Sequence, residues 1–170
     1  RLFNESTNWI IGFYHLKRDE SLTRNHIGNY LDGSQFTSEL KQDSTALYTE
    51  LSSQLSSETT LTYGVRVEDW NNDYQDSGNI NENRTETLWG GKITLESVFG
   101  INHIVYSSLA HGYKAGGVNS NPEVSLENRT FDTETNDSIE FGLKSSLLND
   151  DLTTRIALFY IQRTDQQVKS

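Results

Sequence analysis

Apolar and polar residues alternate with a period of two along most of this chain. From Thr45 to Leu55 one side reads Leu47, Thr49, Leu51, Ser53, Leu55, and the other reads Ala46, Tyr48, Glu50, Ser52, Gln54. Leu61, Tyr63, Val65 and Val67 oppose Thr62, Gly64, Arg66 and Glu68, and Ile139, Phe141 and Leu143 oppose Glu140, Gly142 and Lys144. Successive side chains of a strand point to opposite faces, so the pattern predicts strands with one apolar and one polar face. Helical spacing fits these runs less well.

Seven strands are predicted, over residues 9–17, 44–55, 60–70, 84–98, 103–114, 136–148 and 152–163. Most exceed the roughly five or six residues usual in globular proteins. They match the roughly 9–11 residues that cross a bilayer at a tilt. The connections 56–59, 99–102 and 149–151 read as tight turns, and 19–43, 71–83 and 115–135 as long polar loops. The segment 71–83 is polar and acidic enough to be mobile. Short and long connections alternate strictly, as they do at the two ends of an outer-membrane barrel. A propeller blade would need four short strands where this chain has two long ones. The expected fold is all-β: an antiparallel meander forming part of a large transmembrane β-barrel. Seven is an odd number, and bacterial single-chain barrels have an even one, so the chain reads as an arc of wall.

Composition narrows the classes. Of 170 residues, 34% are hydrophobic yet 11% are aromatic, which suits strands that are polar on one face better than a compact soluble core or a disordered chain. The net charge of -10, with 24 acidic against 14 basic residues, argues against nucleic acid as a partner. Without cysteine there is no disulfide, thiolate metal site or thiol nucleophile. No signal peptide precedes the first strand, and Arg1 with no Met in the chain reads as a processed product or a piece of something larger. No hydrolase elbow, zinc-protease helix, phosphate loop or dinucleotide fingerprint is present. His15, His26, His103 and His111 lack ligand spacing, and 69–76 lacks the calcium-loop pattern. No catalytic residue, metal site or cofactor is expected.

Charges within the strands fall on the polar side: Arg66 and Glu68, Lys92 and Glu96, Glu140 and Lys144. A Lys or Arg facing lipid at mid-membrane costs about 2–4 kcal/mol, so these six are expected to line a lumen. For each one, a solvated wall with cross-strand charge pairs is the plainer role. The strands 103–114 and 152–163 carry apolar residues on both sides, which leaves their register open and fits an inner face covered by a plug. Trp9 and Phe99 fall near the short turns, and Trp70, Trp89 and Tyr113 toward the long loops, like two aromatic girdles.

Several runs resemble one family in order and spacing. They are Trp9-Ile-Ile-Gly-Phe-Tyr14, Leu61-Thr-Tyr-Gly-Val-Arg-Val-Glu68, Leu88-Trp-Gly-Gly-Lys-Ile-Thr-Leu95, Tyr106 to Asn119 with its Gly112, Gly116 and Gly117, Glu140 to Ser145, and Phe159 to Val168. Together they are similar to the C-terminal part of the barrel of TonB-dependent outer-membrane receptors. His111 departs from that pattern, where Arg is usual, and so does Phe131-Asp-Thr-Glu-Thr135, which lacks Pro-Glu. The resemblance implies energy-dependent uptake of a scarce nutrient, such as a ferric siderophore, cobalamin, haem or a glycan. It implies a Gram-negative outer membrane, with lipid, a plug domain outside this chain, TonB and a small metal chelate as partners. The domain expected over 1–170 is a partial barrel without plug or final strands. Trp70, Tyr74, His111, Tyr113 and Lys114 are the residues expected at the barrel mouth. The alternatives are a soluble β-sandwich used for binding or adhesion, with acidic loops, and a porin without energy coupling.

Overall fold

The computed structural model describes residues 7–26, 34–149 and 151–168. Seven long strands form one antiparallel sheet: β1 (Thr7–His26), β2 (Ser34–Gln54), β3 (Thr59–Asp76), β4 (Asn81–Phe99), β5 (His103–Lys114), β8 (Glu134–Leu147) and β9 (Leu152–Thr164). Between β5 and β8 the chain adds a small ribbon of β6 (Gly117–Val118) and β7 (Thr130–Phe131). Every long strand pairs with its neighbours in chain order, so the sheet is a meander.

The register turns alternation into two continuous faces. Phe13, Leu47, Val67 and Trp89 stand in one cross-strand row, and Ile93, Leu109, Ile139 and Tyr160 in another. Phe13, Leu47, Val67, Trp89, Leu109 and Tyr160 are all exposed. A sandwich would bury such a face against a second sheet. Among the described residues no second sheet covers it. The few buried apolar side chains, including Phe36, Trp70, Tyr74 and Leu88, lie on the opposite, polar face.

That register also settles the two ambiguous strands. Val105 and Leu109 join the apolar face beside Leu143 and Ile139, and Ile156, Leu158 and Tyr160 continue it on β9. Ala157, Phe159 and Ile161 fall on the polar face.

The strands run further than the pattern predicts. Residues 19–43 are mostly a ladder, with Asp19 opposite Lys41 and pairing maintained to His26 and Ser34. Residues 71–83 form a paired hairpin tip rather than a mobile loop, because β3 continues to Asp76 and β4 starts at Asn81. There the face that continues the apolar belt turns polar, with Asp19, Ser21, Glu39, Lys41, Asn71 and Asp73, and the apolar residues Leu22, Phe36, Leu40 and Tyr74 lie on the opposite face. Backbone pairing therefore proceeds without the alternation that marks the belt in sequence.

Two tyrosines lie flat across glycines of the adjacent strand on the polar face. A Cβ at Gly12 would fall 2.0 Å from the Tyr48 ring, and one at Gly142 would fall 2.1 Å from the Tyr106 ring. Each ring occupies the space that the glycine leaves empty, which fastens neighbouring strands through side-chain packing.

Candidate functional site

The six strand charges share one face. Arg66 and Glu68 stand opposite Gly90 and Leu88, Lys92 and Glu96 opposite Ala110 and Tyr106, and Glu140 and Lys144 opposite Ser108 and Ile104. They form two clusters. In the first, Glu68 accepts from Arg66 at 2.9 Å, from the Tyr113 hydroxyl at 2.6 Å and from Ser44, while Arg66 sits 5.2 Å from the Tyr14 ring centroid. In the second, the Tyr106 hydroxyl donates to Glu140 at 2.5 Å, and Lys144 lies 3.6 Å from Glu96 and 5.1 Å from the Tyr106 ring centroid. Lys92 joins neither cluster.

Tyr113 reaches the first cluster from beyond the end of the β4–β5 ladder. That ladder stops at His111, opposite Gly91. His111 stacks on Trp89 on the apolar face, with ring centroids 4.2 Å apart, and its Nδ1 lies 2.7 Å from Asp137. Strict alternation would put Tyr113 on that same face. Instead its ring passes over Gly90, where a Cβ would stand 3.4 Å from it, and its hydroxyl enters the polar face.

The residues expected at a mouth are therefore divided. Trp70, Tyr74 and Tyr113 share the polar face, and His111 is on the other. Lys114 is exposed and borders a second cleft together with Arg24 and Gln167. Of the aromatics expected as girdles, Trp9, Phe99 and Trp89 occupy the apolar face. Trp70 and Tyr113 do not, because Trp70 stands on the same face of β3 as Glu68 and the Tyr113 hydroxyl is bonded to Glu68.

Trp70 and Tyr74 are not open to solvent; they are 6% and 4% exposed. The connection between β5 and β8, residues 115–133, folds back as a strap across the polar face of β2–β4. Arg129 anchors it. Its guanidinium bonds to Asp76 and to the carbonyl of Asn119 at 2.9 Å, and lies 5.7 Å from the Phe36 ring centroid. Arg84 is a second anchor, donating to the carbonyl of Phe131 at 2.9 Å and pairing with Asp132 and Glu86. Thr133 bonds to Glu86. Gln167, beyond β9, closes the base of the strap by donating to the carbonyls of Ala115 and Asp132, each at 3.0 Å.

Asp76 sits at the tip of β3, beyond the apolar belt. Burial pushes its carboxyl upward, but the amide of Ile80, the Arg129 guanidinium, the Tyr74 hydroxyl and the amide of Gly78 outweigh this and hold it below the usual range. Burial and the neighbouring Asp76 carboxylate push the Tyr74 phenol up, so Tyr74 remains a neutral donor. Asp76, Arg84 and Arg129 escape a sequence reading, because nothing local marks residues that meet 47–53 positions apart.

Between the strap and the wall of β1–β3 is a cleft of about 650 Å3. Leu22, Leu40, Trp70 and Asn72 belong to its wall, and Val118 and Phe131 to the strap above it. The volume of the cleft is in the range of small-molecule sites.

The family model described as TonB dependent receptor-like, beta-barrel matches residues 2–170. The chain belongs to this family. By structure it is similar to three receptors of the TonB-dependent kind. The ferric yersiniabactin uptake receptor FyuA of Yersinia pestis superposes with a TM-score of 0.79 at 21% identity, over 99% of this chain and 27% of that one. The ferric-catecholate import receptor Fiu of E. coli K12 gives 0.70 at 16% identity, over 92% and 29%. The alcaligin outer membrane receptor FauA of Bordetella pertussis gives 0.59 at 15% identity, over 93% and 30%. The chain thus spans under a third of each receptor's length. No curated protein matches it by sequence. The TonB-dependent receptor family consists of outer-membrane receptors and transporters rather than enzymes.

Proposed function

We propose that this chain is the part of a receptor wall that takes up a ferric siderophore across the outer membrane of a Gram-negative bacterium, with energy delivered through TonB. The observation that carries the reading is the two-faced sheet. One face exposes a continuous apolar belt, and the other carries paired charges and a strap-roofed cleft. The apolar belt suits lipid, where charges cost about 2–4 kcal/mol at the midplane. The polar face suits a lumen filled by a plug domain, with Arg66, Glu68, Lys92, Glu96, Glu140 and Lys144 lining it. The exposed Phe159 and Ile161 on the same face suit direct contact with that plug. Trp70, Tyr74, Tyr113 and Lys114 fall toward the ligand-facing end, and His111 suits the lipid boundary.

A ferric siderophore is favoured over cobalamin, haem or a glycan because two of the similar receptors are named for a ferric ligand, ferric yersiniabactin and ferric catecholate. The test is growth of a strain lacking the full gene on a panel of ferric chelates, haem, cobalamin and glycans. Loss of growth on one ferric chelate, restored by the gene but not by one lacking its TonB-contacting segment, is the expected result. Normal growth on every chelate with loss on a glycan would overturn it.

A further inference from the structure

The cleft beneath the strap offers a ligand no free positive charge. Among the described residues no Lys, Arg or His lines it. The two guanidinium groups that hold its roof are already neutralised, Arg129 by Asp76 and Arg84 by Glu86 and Asp132. Of the acids on its border, Glu20 is paired with Arg18, and Asp19 alternates to the other face of β1. What remains is apolar and aromatic surface from Leu22, Leu40, Trp70, Val118 and Phe131, with amide dipoles such as Asn72.

An anion entering this cleft would lose its water and find dipoles but no cation, and an unpaired charge is costly to desolvate. It would also approach a chain of net charge -10. An uncharged ligand meets neither obstacle, and its apolar surface packs on the aromatic walls. We infer that the cleft selects an uncharged ferric chelate and discriminates against anionic catecholate chelates. This rests on the reading of the chain as part of a ferric-chelate receptor.

The test uses the full receptor, plug included, titrated by calorimetry in detergent micelles. The probes are an uncharged ferric tris-hydroxamate and an anionic ferric tris-catecholate. The expected result is a Kd at least about tenfold lower for the uncharged chelate, roughly 1.4 kcal/mol of discrimination. Leu40→Lys, which adds a cation to the cleft, is expected to narrow that ratio by about tenfold, and Asn72→Lys on the next strand provides a second version should the first fail to fold. Equal or tighter binding of the catecholate overturns the inference while leaving the ferric-chelate reading intact. An unchanged ratio in both folded variants overturns the assignment to this cleft. Binding of haem, cobalamin or a glycan with neither chelate bound overturns the ferric-chelate reading and this inference together.

Discussion

Arg129 and Asp76, 53 positions apart, form an ion pair with almost no solvent contact, their side chains 1% and 0% exposed. The pair holds the strap against the tip of the β3–β4 hairpin. Removing one partner of a buried pair typically costs about 3–5 kcal/mol, because the other is left charged and unpaired. Asp76 retains the amides of Gly78 and Ile80, at 2.7 and 3.2 Å, so the lower end of that range applies. Arg129→Met is expected to release the strap without unfolding the wall. Hydrogen exchange should speed up across 116–131 and stay unchanged in the β2–β3 ladder.

The same pair predicts a pH dependence. The Asp76 carboxyl is held below its unfolded value of about 3.9. Its contribution is therefore fully present above that value and is lost as pH falls through the lower, folded one. Exchange protection of the strap should be flat from neutral pH to about pH 4 and fall below it. In Asp76→Asn that acid step should vanish.

Gly142 is the seat of the Tyr106 ring, and a Cβ there would meet the ring at 2.1 Å. Gly142→Val must displace the ring and break its bond to Glu140. Overpacking of this kind costs about 1–3 kcal/mol. Tyr106→Ala should cost less when combined with Gly142→Val than the two single losses added, since the residues touch. Denaturant titration of the receptor refolded in lipid vesicles measures each corner of the cycle.

The proposed lipid contact of the apolar face predicts an asymmetry between neighbouring positions. Val65→Arg should cost about 2–4 kcal/mol in vesicles. Thr62→Lys, three residues earlier on the polar face, should lose only the hydrogen bond to Ser52, about 0.5–1.5 kcal/mol. Equal costs for the two would contradict the assignment of the faces.

Tyr113→Phe removes one of three donors to Glu68 and leaves Arg66 and Ser44 in place. Hydrogen bonds to charged groups contribute about 1.5–3 kcal/mol, so the loss should fall in that range. Denaturant titration reads it. Tyr113→Leu should lose more, because the ring over Gly90 goes as well.

The sequence alone determined the seven strands, their order, their short turns and, on the five strands with one clearly apolar side, the face each belt residue takes; on β5 and β9, apolar on both sides, only the register decided it. Two faces in different surroundings force alternation, and alternation is local information. It gave out in three places, each for a physical reason. Beyond the belt its face turns polar and Leu22, Phe36, Leu40 and Tyr74 fall on the other one, so the pattern is lost while the backbone ladders of 19–43 and 71–83 continue. Past His111 β5 loses its β4 partner, and the Tyr113 ring crosses Gly90 to reach Glu68 while His111 stays on Trp89; no period of two can register that one departure. The strap was legible only as a long polar loop. Arg129, Arg84 and Asp76 find one another across about fifty residues through burial and charge, and only the tertiary structure brings them together.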